Sequence, residues 1–170
     1  MAKVKIILVV VFVIFFSFRG YLQDDCITRV ANDYVGVREA TGNNDGEIVE
    51  LFLASANAKK GDPWCAAFVT YVHSLCGYKI PNSPAWSPSW FPTSRIVKLS
   101  ECESGDVFGI YYSSKKRIAH VGIIEKETGN YFLTIEGNTN EAGSREGDGV
   151  YKKRRPQKTI YKIARWKEMN

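Results

Sequence analysis

Apolar side chains recur at three- and four-residue intervals up to about residue 76 and alternate with polar ones beyond residue 105. The chain therefore reads as helices first and strands second. Ile27, Val30, Ala31, Tyr34 and Val35 mark one face of a first helix, with Asp24 or Asp25 as its cap and Gly36 at its end. A second helix is predicted over about 47–57, with Ile48, Leu51 and Phe52 inward. The third has the clearest signals: Asp62 as N-cap, Pro63 at the first helical position and Gly77 as the stop. Phe68, Val69, Val72, Leu75 and Cys76 form its apolar face. Residues 78–95 form a loop rich in Pro, Ser and Trp, long enough to suggest a function. Strands follow at 106–112, 118–126, 131–137, 149–154 and 159–166. Helices followed by consecutive short strands imply an α+β fold, with N-terminal helices packed on an antiparallel sheet of about five strands.

The first 20 residues stand apart from this pattern. Lys3 and Lys5 precede an apolar run over 6–18, thirteen residues long. That length suits the core of a signal peptide and falls short of the roughly 20 residues that span a bilayer. Phe18, Arg19, Gly20 and Tyr21 offer no clean pair of small residues for cleavage, so an uncleaved membrane tether through 6–18 stays open beside a signal peptide. Either way the working domain is 21–170, exported to the periplasm, cell envelope or exterior.

A length of 170 residues allows one domain. The formal charge of +5 is concentrated at the start: without Lys3, Lys5 and Arg19 the rest carries 20 basic and 18 acidic residues, or +2. Nucleic-acid binding is not expected from so weak an excess. The basic run Lys152-Lys153-Arg154-Arg155 reads as a solvated strand edge. A monomer is expected.

Export permits disulfides, and the cysteines are Cys26, Cys65, Cys76 and Cys102. On one straight helix, Cys65 and Cys76 would lie roughly 16 Å apart, too far to bridge. With Cys65 kept as a thiol, at most one bridge forms among the other three. No two Cys or His fall at zinc-ligand spacing. Asn43-Asn44-Asp45-Gly46-Glu47 lacks the glutamate that would complete a calcium loop, and capping of the second helix explains it better. No metal or cofactor is expected.

Cys65 falls within the first turn of its helix, where unpaired N–H groups and the helix dipole favour thiolate. Asp62 opposes this, so a neighbouring imidazole is needed. His73 is about 12 Å along the same helix and is expected to be a satisfied or exposed residue. His120 lies mid-strand in Ala119-His120-Val121-Gly122, flanked by small residues. On the next strand Glu136 and Asn138 share a face if the strand persists, and an acid or amide there could orient the imidazole.

Three stretches, Gly61-Asp62-Pro63-Trp64-Cys65-Ala66-Ala67-Phe68-Val69, Ala119-His120-Val121-Gly122 and Ile135-Glu136-Gly137-Asn138-Thr139, resemble the CHAP family within the NlpC/P60-like superfamily. These are papain-like cysteine hydrolases of bacterial peptidoglycan, and the likeness covers about residues 27–166. It implies Cys65 as nucleophile, His120 as base, and Glu136 and Asn138 as polar partners. The substrate it implies is peptidoglycan or its stem-peptide fragments, cut as an amidase or an endopeptidase. Trp64, Trp86 and Trp90 are expected along the groove. The sequence departs from many secreted relatives in showing no separate wall-binding module. Two rival readings are an idle wall-binding module of the same fold and a secreted effector acting on another amide.

Overall fold

The computed structural model describes residues 26–141 and 147–169. The apolar run at 6–18, with the signal or tether read from it, lies outside the described residues. Within them no helix is long and apolar enough to cross a membrane.

Three helices come first: α1 (Cys26–Asp33), α2 (Glu47–Ser55) and α3 (Cys65–Leu75). Six strands follow: β1 (Ile96–Val97), β2 (Val107–Tyr112), β3 (Arg117–Thr128), β4 (Tyr131–Thr139), β5 (Gly149–Pro156) and β6 (Lys162–Ala164). They form one sheet in the order β1-β6-β2-β3-β4-β5, and every pairing is antiparallel. The fold is α+β, as the switch in periodicity predicts.

Alternation along the strands divides the interior in two. Val107, Val121, Ile123, Ile135 and Ala164 join Ile27, Phe52, Phe68 and Val72 of the helices in the larger cluster. Phe108, Ile124, Phe132 and Ile163 form a smaller cluster from the intervening positions. Phe52 anchors the helical layer through ring contacts with Tyr34, Trp64, Phe68 and Tyr71. At Gly137 β4 comes so close to α3 that an added Cβ would sit 2.7 Å from the Cβ of Phe68. Glycine at that position lets the helix lie directly on the strand.

Several boundaries differ from the sequence reading. β1 is a sixth strand, formed by two residues after the Pro-rich stretch and paired with β6. Its brevity leaves no alternation to detect. The last strand is shorter than 159–166, because a 3₁₀ turn occupies Gln157–Thr159. α3 begins at Cys65, and Asp62 does not cap it. The Asp62 carboxylate instead accepts the Lys59 amide at 2.8 Å, closing a separate turn. α2 has Gly46 at its N-cap, where the Glu50 carboxylate accepts the Gly46 amide at 3.3 Å; Asp45 is occupied by the Thr41 amide and hydroxyl.

The basic run falls on β5, an edge strand, and its members face alternate sides with different partners. Lys152 pairs with Glu125, Lys153 donates to the Asn140 carbonyl, Arg154 lies over the Tyr131 ring, and Arg155 reaches Glu136.

Cys26 and Cys76 form a disulfide across 50 residues, tying the start of α1 to the end of α3. Constraining a loop of that length in the unfolded chain is worth about 4 kcal/mol. The double variant Cys26→Ser/Cys76→Ser should lose about that much unfolding free energy in urea titrations, and reductant should then have no further effect. Equal stability of the variant and the oxidised parent would remove this account.

Candidate active site

Cys65 opens α3, so its backbone N–H and those of Ala66 and Ala67 have no acceptor within the helix. The preceding amide, that of Trp64, is already used: it donates to Asn138 Oδ1 at 3.2 Å. Cys65, at the helix start, lines the cleft and leaves its amide without an acceptor in the helix.

His120 comes from the middle of β3. A register shift between Ile110 and Tyr111 of β2 occurs beside it, bending the pair where the histidine sits. One ring nitrogen, Nε2, is 2.8 Å from Glu136 Oε2. The imidazole and the Cys65 thiol also act on each other's ionisation, and with Nε2 on Glu136 it is Nδ1 that remains for the sulfur. The Ser87 hydroxyl lies 3.7 Å from the Cys65 sulfur, and the Val121 amide helps to lower the thiol's pKa. Gly122 makes room for this alignment: a Cβ there would meet Glu136 Cγ at 2.9 Å and the Phe108 ring at 2.8 Å.

Glu136 is fully buried and densely bonded. Arg155 grips both of its oxygens, Nε to Oε1 at 2.8 Å and Nη2 to Oε2 at 2.6 Å. Thr134 Oγ1 donates to Oε1 at 2.6 Å. A line of hydrogen bonds thus runs from Arg155 through Glu136 to His120, whose imidazole in turn acts on the ionisation of Cys65.

The electrostatics follow from that line. Burial pushes the Glu136 carboxyl up, but Arg155 and then His120 outweigh it and hold the carboxyl well below the usual carboxylate range. Burial pulls His120 down, yet its hydrogen bonds to Cys65 and Glu136 raise it to about 9. Burial raises the Cys65 thiol, and the His120 hydrogen bond and charge bring it below its ordinary value. The arrangement shifts the pair toward thiolate beside imidazolium. Cys102, the other free cysteine among the described residues, is pushed up to about 12 by burial and by the charges of Asp106 and Glu127.

Asn138 is placed differently from the expectation. A register shift separates Glu136 from Thr139, and Asn138 has a left-handed backbone at φ 52°. The two side chains therefore do not share a face. Besides holding the Trp64 amide, Asn138 donates to Asn44 Oδ1 at 2.9 Å and Glu39 Oε1 at 3.4 Å. It fastens the 39–44 loop to the helix start and does not orient the imidazole.

Two of the three expected groove tryptophans are core residues. Trp64 is fully buried, its indole N–H bonded to Glu39 at 2.7 Å, and Trp90 is fully buried, bonded to the Pro84 carbonyl at 3.0 Å. Trp86 alone is open, at 48% exposure. It lines a cleft of about 220 Å³ with Cys65, Ser87, Asp62, Lys115 and Arg117. Sequence reasoning missed Ser87, Arg155 and Thr134. Ser87 had a weak signal in the unusual length of its loop, and Arg155 was hidden in a run of like charges.

His73 is neither exposed nor satisfied. Nδ1 contacts the Val69 carbonyl at 2.9 Å, and the buried Nε2 has no partner among the described residues. Burial, aided by Lys167, lowers its pKa to about 4. In the unfolded chain it takes up a proton near pH 6.5, and in the folded chain only near 4. Stability therefore falls as pH drops through that window, by about 3 kcal/mol between pH 7 and 4. Urea titrations at both pH values should show this loss in the parent and a smaller one in His73→Gln. Identical pH dependence in the two proteins would exclude His73 as the source.

No family profile and no curated protein matches the chain. Among solved structures, one similar chain is the NlpC/p60 domain of the peptidoglycan hydrolase SagA, at 17% identity and a TM-score of 0.47, covering 82% of this chain and 96% of that one. Another is a protein described as similar to lipoprotein, from Staphylococcus aureus, at 19% identity and a TM-score of 0.48. That match covers 84% of this chain, which spans 42% of the other's length. The first is described as an NlpC/p60 domain and the second as of the NLP/P60 family.

Proposed function

We propose that this protein is an exported cysteine hydrolase that cleaves an amide bond in bacterial peptidoglycan. The observation that carries the chemistry is the coupling of Cys65 to His120, whose Nε2 is bonded to Glu136, with the sulfur at a helix start in an open cleft. The substrate class rests on the likeness of the three sequence stretches to CHAP-family hydrolases.

The Cys65 thiolate attacks the carbonyl carbon, and the oxyanion that forms meets the Cys65 amide at the helix start, with the Ser87 hydroxyl alongside. His120 gives its Nδ1 proton to the departing amine, leaving a thioester. It then takes a proton from water as that water attacks the thioester, and keeps it as the C–S bond breaks, so thiolate beside imidazolium is restored. Glu136 stays ionised throughout, holding the ring and stabilising its charged form. The Cys26–Cys76 disulfide fits an oxidising compartment outside the cytosol.

Digestion of purified peptidoglycan, with products identified by mass, tests the reading. New amine ends at one defined bond are expected, freed either at the glycan–peptide junction or within the peptide. An unchanged wall, with native protein and a reactive Cys65, would refute it.

A further inference from the structure

The cleft beside Cys65 is asymmetric in charge. Lys115 and Arg117 stand on one side, from the β2–β3 connection and the start of β3, and Asp62 is the acid among the lining residues. One Asp62 oxygen already accepts the Lys59 amide. Arg117 lies over the Trp86 ring, with its central carbon 4.1 Å from the centroid, and Nη1 donates to the Ile118 carbonyl at 3.0 Å. A guanidinium fixed by stacking and by one hydrogen bond still has edge donors free for a planar anion.

Many other basic side chains of this protein are paired with acids. Lys60 meets Glu50, Lys79 and Arg95 meet Glu168, Lys152 meets Glu125, and Arg165 meets Asp106 and Glu103. Among the described residues no carboxylate pairs with Lys115 or Arg117. Two cations without acids, one of them held over an exposed tryptophan, thus share a cleft with the nucleophilic sulfur.

We infer that Arg117 and Lys115, on the Trp86 platform, form a subsite for a carboxylate carried by the substrate next to the bond that is cut. This rests on the hydrolase reading and narrows it. The substrate is an acidic peptide: one whose neighbouring carboxyl is free is preferred over the same peptide with that carboxyl amidated. Arg117 supplies paired N–H donors in a fixed plane, and Lys115 supplies a mobile charge at the rim.

Alkylation of Cys65 separates the subsite from catalysis. Iodoacetate and iodoacetamide react through the same carbon and differ in charge. In the full-length parent, the ratio of iodoacetate to iodoacetamide rates at Cys65 should exceed that in Lys115→Gln/Arg117→Gln by about tenfold at low salt, and the difference should shrink at high salt. His120 is present in both proteins, so its charge cancels. Lys126→Gln/Lys158→Gln, the same loss of two charges outside the cleft, should match the parent. The double variant changes side chains outside the packed core, and circular dichroism verifies its fold. Equal ratios in parent and double variant would overturn the subsite, as would failure of either reagent to label Cys65.

The second arm uses stem-peptide fragments with a free or an amidated carboxyl. The parent should favour the free acid by about tenfold in kcat/KM, mainly through KM, and the double variant should lose the preference. Cleavage of both forms at equal rates would overturn the assignment to a substrate carboxylate. Cleavage of neither by any of the proteins would count against the hydrolase reading, while the alkylation ratio would still decide the subsite.

Discussion

Cys65→Ala should abolish peptidoglycan cleavage, and His120→Ala should lower kcat by at least about 10³-fold. The first substitution removes the attacking atom; the second removes both the partner that keeps sulfur ionised and the acid that protonates the amine. Neither should unfold the domain, because each trims a side chain at the cleft without adding bulk. Brief iodoacetamide treatment near pH 7 should label Cys65 well before Cys102, whose thiol is pushed up to about 12. Fragment hydrolysis followed by mass, beside thermal melts of each variant, checks the set. A folded Cys65→Ala protein that cleaves at the parental rate would end the enzyme reading.

The second large effect is expected at the buried carboxylate and the arginine behind it. Glu136→Gln keeps a hydrogen-bond acceptor for His120 but loses the charge that stabilises imidazolium, so kcat should fall by about 10² to 10⁴-fold. Arg155→Met leaves Glu136 buried without its bidentate partner. That break costs about 3–5 kcal/mol of stability, and it raises the carboxyl's pKa. Glu136, no longer shared with a cation, becomes the stronger base and holds the imidazolium more tightly, so the His120 pKa rises. The alkaline limb of the pH–rate profile, near 9 in the parent, should then move to higher pH. Arg155→Lys restores charge without the two-pronged geometry and should recover part of both effects. A merely structural role for Arg155 would lower stability and leave the pH profile in place.

Most of the architecture is written in periodicity, and the site is written less completely. The apolar face of α3 and the alternation in β2, β3 and β4 are long enough to read directly, and Cys65, His120 and Glu136 were each visible as reactive types on those elements. The step from Glu136 to Asn138 was not, because two-residue parity assumes a regular strand. The backbone turns left-handed at Asn138, and this side chain goes to Trp64 and Asn44 instead. Tryptophans were ambiguous for a different reason. An indole can be core or platform, and only packing shows that Trp64 and Trp90 are enclosed while Trp86 is open. Arg155 could not stand out among four adjacent cations, since what distinguishes it is the partner it meets across the sheet. The start of α3 was misread because Asp-Pro is a strong helix-opening signal, while here the aspartate closes the turn before it.

The placement of the cysteines also bears on how the protein is made. Cys65 and Cys76 stand at opposite ends of an eleven-residue helix, and Cys76 is bridged to Cys26 across 50 residues. In a chain without that helix, closing the short segment between Cys65 and Cys76 is favoured over the native loop by roughly tenfold on entropy alone. The quickest mispairing would thus consume the nucleophile. Once α3 forms, its length holds the two sulfurs apart and leaves Cys76 for Cys26. Helix formation ahead of oxidation thus acts as a kinetic guard on activity, and a reduced chain given time to coil before oxidant arrives should mature in higher yield than one oxidised while extended.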